Sequence, residues 1–169
     1  YIIVANDSGL VLIDQCALHQ RLLYDTFVEA IQKKEVKVET FKVSLLLELT
    51  PQESILIAQH LKTLSISGFA ISPFGGNTFA VDSFPKFLLE DQVTKVISKI
   101  LERSALFGKG DPIEEIIKEI AMTVAEIISI KPEHKLEMVE LECLLAQWEF
   151  LGCPLKSIRN TTFLVELSL

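Results

Sequence analysis

The stretch Leu10-Val-Leu-Ile-Asp14-Gln15-Cys16-Ala17-Leu18-His19-Gln20-Arg21-Leu22-Leu23-Tyr24-Asp25 holds the decisive transition of this chain. Its first four residues are large and apolar, as in a strand, whereas Leu18, Leu22, Leu23, Phe27, Ala30 and Ile31 follow the three-and-four spacing of one helical face. A strand therefore ends in an acid and turns directly into a helix reaching about Lys34. Upstream, Tyr1-Ile-Ile-Val-Ala is a second apolar run. The Asn6-Asp-Ser-Gly9 segment between the runs supplies local side-chain hydrogen bonds and a glycine, which predicts a hairpin feeding the helix.

Working outward, Phe41 to Leu49 has strand character, and its Leu45-Leu-Leu run predicts partial burial on both faces. Thr50-Pro-Gln-Glu53 is a helix start: threonine caps free amides, proline fits the first turn, and glutamate reaches back. That helix should run to about Leu64. Phe69-Ala-Ile and Thr78-Phe-Ala-Val flank Phe74-Gly-Gly-Asn77, a second hairpin. Val93, Val96, Ile97, Ile100 and Leu101 mark another helix, Gly108-Lys-Gly110 a hinge, and Asp111-Pro-Ile-Glu114 the start of a long helix. Glu133 to Leu151 reads as the last helix, stopped by Gly152 and Pro154, and Thr161 to Leu167 as a terminal strand.

The order β-β-α, β-α-β-β-α, α-α-β predicts a sandwich-like α+β fold in two lobes. Residues 40–108 can close on themselves as an inserted outer lobe, with residues 1–39 and 109–169 packing together as the other. With 169 residues, 49% of them hydrophobic, and a mean hydropathy of +0.37, the chain can build a core without staples and is neither disordered nor a low-complexity polymer. Sixteen lysines and arginines against 23 acids leave a net charge of −7, which disfavours tight binding of a phosphate backbone by this chain alone. Cys16, Cys143 and Cys153 are an odd set, read as reduced thiols of a cytoplasmic protein. No apolar run reaches membrane-spanning length, and the start at Tyr1 without methionine is read as that of an excised domain.

On the junction residues the chain resembles the C-terminal domain of the MutL family of DNA mismatch repair proteins. There a strand-to-helix turn reads Asp-Gln-His-Ala, two residues, Glu, four residues, Glu, usually with Arg after the first glutamate. Asp14, Gln15, Ala17 and Arg21 match, whereas Cys16 replaces the histidine, Gln20 the first glutamate and Asp25 the last. A second family feature, Cys-Pro-His-Gly-Arg-Pro before a strand, is met by Cys153-Pro154 ahead of Thr162-Phe-Leu-Val-Glu-Leu, with Leu155 in place of histidine. Ala121-Met122-Thr123 stands where the family carries Ala-Cys and a basic or polar residue. The resemblance implies the inserted-lobe fold, dimerisation, and metal-assisted nicking of DNA in members with a full ligand set.

Two functional classes follow. In the first, this is a homodimerisation module whose nicking motif, Asp14, Gln15, Cys16, Ala17, Gln20 and Asp25, is vestigial. A neutral amide at Gln20 cannot supply a carboxylate's charge to a cation. The surplus apolar surface of the helix from about residue 112 marks Ile113, Ile116, Ile117, Ile120, Val124 and Ile127 as interface candidates; the plainer reading is a helix sandwiched within the monomer. In the second class, Asp14, Cys16, His19 and Cys153 form an altered zinc or manganese site for nicking; the plainer reading makes both cysteines small buried side chains.

By the resemblance, the intact protein carries an N-terminal ATPase, encircles DNA and meets the mismatch-recognition protein MutS. This domain itself needs no cofactor. Glu39-Thr40-Phe41-Lys42-Val43-Ser44, at the place of the family's sliding-clamp peptide, lacks its glutamine, second apolar anchor and proline, so clamp binding is not expected there. Gly75-Gly76 lacks the lysine of a phosphate loop, and His60 and His134 lack zinc-spaced partners.

Overall fold

The computed structural model describes residues 1–6, 9–104 and 112–168, and among them the chain forms five helices and two three-stranded antiparallel sheets. The turn at Asp7-Ser8 and the hinge Gly108-Lys-Gly110 lie outside the described residues. The fold is α+β, with two compact units: Tyr1–Thr26 with Ile128–Leu169, and Phe27–Ile127. Their boundaries fall inside the helix Gln15–Lys33 and at the end of the helix Ile113–Ile128, whereas the sequence alone places lobe boundaries at 39/40 and 108/109.

In the first unit, β1 (Ile2–Asn6) pairs with β2 (Gly9–Ile13) in the register Ile2 opposite Ile13, Ile3 opposite Leu12 and Val4 opposite Val11. The far end of the chain returns as β6 (Leu164–Ser168) on the other edge of β2, with Val165 opposite Leu12 and Leu167 opposite Leu10. A two-residue side-chain period sends Ile2 and Ile13 to one face of this sheet. There they are buried with Leu18 and Leu22 of α1 (Gln15–Lys33), Leu144 of α5 (Met138–Phe150), and Phe163.

The helix expected from Glu133 begins only at Met138. Lys131 to His134 makes a turn, with the His134 amide bonded to the Lys131 carbonyl, and the buried Gln15 side chain takes the His134 carbonyl at 2.8 Å. The N-cap of the helix is Glu137, whose N–H is met by Glu140 Oε2 at 2.8 Å. At the other end Gly152, at φ 78°, closes the helix as expected.

In the second unit the sheet order is β3 (Val38–Glu48), β5 (Thr78–Pro85), β4 (Ala70–Gly75). Leu45-Leu-Leu is not covered on both faces: Leu47 is buried, Leu45 half-buried and Leu46 exposed, the alternation of an antiparallel strand with one face covered. α2 (Pro51–Ile66) starts with the anticipated capping box, Thr50 Oγ1 accepting from Glu53 N–H and Glu53 accepting from Thr50 N–H. α3 (Glu90–Ser104) and α4 (Ile113–Ile128) are tied by Arg103, which donates to Glu126 at 2.7 Å and to the buried Thr123 hydroxyl at 2.9 Å.

Candidate functional site

Asp14 stands between β2 and α1 as a helix cap. Its Oδ1 accepts from the backbone N–H of Cys16 at 2.9 Å and of Ala17 at 3.0 Å, and its own amide donates to the Phe163 carbonyl at 2.8 Å. The carboxylate thus serves the local turn from strand into helix. Along the first turns of α1 the other motif side chains are also engaged within the first unit. Gln15 holds the His134 carbonyl, Gln20 donates to Ser129 Oγ at 3.3 Å, and Arg21 bonds Asp25 at 2.6 Å and the Lys156 carbonyl at 3.1 Å.

His19 Nδ1 accepts the Ile130 N–H at 3.1 Å, and burial lowers the imidazole's pKa. Burial, and secondarily the charge of Asp14, raises that of the half-buried Cys16 thiol. Cys153 follows the last turn of α5, exposed, at φ 53°, with its amide on the Trp148 carbonyl.

Of this donor set, the Oδ1 of Asp14 and the Nδ1 of His19 are already engaged by backbone amides. Among the described residues no three histidine, cysteine, aspartate or glutamate side chains are grouped so that one ion could touch them all.

The helix α4 candidates divide by burial. Ile116, Ile120, Val124 and Ile127 are covered by the chain's own atoms, Ile120 completely, while Ile113 is exposed and Ile117 half-buried. In the first unit, by contrast, a surface that the sequence reading did not single out is apolar and open. The sheet's outer side carries Ile3, Ala5, Leu10, Leu12, Val165 and Leu167, which the register places side by side. Ile3 is 65% and Val165 55% exposed. Leu12, Val165 and Leu167 line a groove of about 440 Å³ together with Tyr1 and Asp14. The signal lay in the runs Ile2-Ile-Val-Ala and Leu10-Val-Leu-Ile, which are apolar at successive positions. A strand of that kind has two faces to bury.

A family model described as the MutL C terminal dimerisation domain matches residues 1–136. The chain is 30% identical over 149 residues to a DNA mismatch repair protein MutL of Azorhizobium caulinodans, covering 88% of this chain and 24% of that protein. It is also 30% identical over 168 residues to one of Exiguobacterium sp., covering 99% and 28%. With one of Clostridium perfringens the figures are 27% over 154 residues, 91% and 23%. The chain spans about a quarter of the length of these curated relatives.

Proposed function

Given that this chain belongs to the family of MutL C-terminal dimerisation domains, we propose that it joins two copies of a DNA mismatch repair protein through the outer face of the β1-β2-β6 sheet. The observation that carries this reading is the open apolar face itself, with Ile3, Leu10, Val165 and Leu167 all exposed. Contiguous apolar residues left exposed on one sheet face are the mark of an association site. A two-fold axis lays the same face of a second copy against it, as one sheet packs on another about 10 Å away.

The cutting centre is degenerate in this reading. Gln20 offers an amide where a cation needs a carboxylate, and the Oδ1 of Asp14 and the Nδ1 of His19 are engaged by the turn and by Ile130. A nicking site on Asp14, Cys16, His19 and Cys153 would compete with the Ile130 bond to His19, and no three such ligands are grouped among the described residues, so we do not propose one. In the whole protein, dimerisation would close a ring on DNA whose opening an N-terminal ATPase drives, and MutS would report the mismatch, all in the cytoplasm. The −7 charge suits a domain that holds subunits together and leaves phosphate contacts to other parts. Among the described residues no helix is long and apolar enough to cross a membrane.

Sedimentation of the chain at about 20 µM tests the proposal, because association follows mass action. A dimer that becomes monomeric with Val165→Glu is expected; a wild-type monomer overturns the reading.

A further inference from the structure

Helix α5 turns a second apolar surface to solvent. Val139, Cys143, Ala146 and Phe150 are spaced four, three and four apart, which aligns them in one stripe. All four are exposed, Val139 at 70% and Phe150 at 88%. The opposite side of the same helix is anchored: Leu144 is buried, and Leu141, Leu145 and Trp148 pack against the core of the first unit. Both ends are fixed as well, by Glu140 on the Glu137 amide and by the indole N–H of Trp148 on the Pro154 carbonyl at 2.9 Å. The stripe is therefore presented on a rigid support, and the core it stands on does not use it.

The borders of the stripe say what can cover it. On a helical wheel Glu142 and Glu149, both exposed, flank it on one side, and Gln147 and Glu140 on the other. No lysine, arginine or histidine lies within α5. A second copy would bring the same glutamates against these, and like charges across a helix pair repel. An anionic lipid surface is repelled for the same reason.

We propose that the outer face of α5 docks an amphipathic helix of a partner protein whose apolar ridge is bordered by lysine or arginine. The partner's ridge seats between Val139, Cys143, Ala146 and Phe150, with Phe150 as the large anchor, and its cations lie over Glu142 and Glu149. This is helix-on-helix recognition through i, i+4, i+7 anchors, with charge choosing the partner. The surface differs from the sheet face proposed for dimerisation.

The test uses two synthetic helical peptides of about 20 residues with the same leucine ridge, one bordered by lysine and one by glutamate. Three results are expected. The lysine peptide binds and slows alkylation of Cys143 about tenfold while leaving Cys153 unchanged. Val139→Asp with Phe150→Asp abolishes both effects, whereas the sedimentation state stays that of the wild type. Glu142→Lys with Glu149→Lys transfers the preference to the glutamate peptide. Equal binding of both peptides, or none, or binding without protection of Cys143, overturns the proposal. So does a Phe150→Asp chain that loses self-association, which would make the occupant a second copy, or Phe150-dependent flotation with phosphatidylcholine vesicles, which would make it lipid.

Discussion

The backbone N–H of Ile130 donates to Nδ1 of His19 at 3.1 Å. That bond needs a lone pair on Nδ1, so the imidazole is neutral with its proton on Nε2, and protonation would set two donors against each other.

A pH dependence of stability follows. Burial lowers the folded-state pKa of His19 from its ordinary value near 6.5. Above that value neither state holds the extra proton. As pH falls through it the unfolded chain takes up a proton that the folded chain refuses, so stability declines until the lower folded pKa is reached. His60, lowered by burial in the same direction, adds to the slope. Glu53 and Glu140 have pKa values below 4.5, held down first by backbone amide bonds, and come into play only in more acid solution. The urea midpoint should fall between about pH 7.5 and about pH 5.5. His19→Asn, whose Oδ1 can accept from Ile130 without titrating, should lose less across that interval. An identical slope in the two chains would refute the assignment.

Asp14 tests the junction in another way. Because Oδ1 caps Cys16 and Ala17, Asp14→Ala should cost about 1 kcal/mol of unfolding free energy, within the usual range for losing a cap. Asp14→Asn keeps an oxygen in place and should cost only a few tenths of a kcal/mol. Chemical denaturation reads both. Equal losses would mean that the charge, and not the cap, is what the fold uses there.

These two side chains also show how far the sequence could be read. The capping box at Thr50 and Glu53 and the stop at Gly152 were legible because each rests on bonds within a few residues. The bond from Gln15 to the His134 carbonyl just ahead of α5 was not, since its partners lie 119 positions apart. The same limit governs the candidate site. The acid at the strand end was visible, but its occupation was not: the partner of His19 is 111 positions distant and that of Gln20 is 109. Spacing along a helix marks which residues share a face, and it is silent on whether the rest of the chain already covers that face. Isoleucines along α4 and alternate residues of β1 and β2 therefore looked alike in composition.

Arg103 provides a test within the second unit. Its guanidinium, only 20% exposed, bonds Glu126 and Thr123 and lies 3.8 Å from Glu119. Lys99 also approaches Glu126 at 3.3 Å. Removing Arg103 takes one donor from a largely buried carboxylate and one from a buried hydroxyl, so Arg103→Ala should cost about 2 kcal/mol. Arg103→Lys should recover only part of that, because an ammonium cannot reproduce the guanidinium's planar fork. Full recovery by lysine would reduce the network to simple charge balance.

A final pair of substitutions separates the two apolar surfaces considered for dimerisation. Ile120 has no exposed surface in the single chain, so Ile120→Ala opens a cavity and should cost about 2–5 kcal/mol of stability. Such a loss should lower the unfolding midpoint while folded molecules still sediment as dimers. Val165→Glu puts a charge on the open face of β6, where a monomer can solvate it at little cost. A dimer would have to desolvate that charge on both sides of its axis. It should therefore leave the fold's own stability close to wild type and produce monomers. The proposal predicts this crossed pattern: stability lost with assembly kept in one variant, assembly lost with stability kept in the other. The opposite pattern, with Ile120→Ala dissociating a stable fold and Val165→Glu leaving the dimer intact, would move the interface to α4.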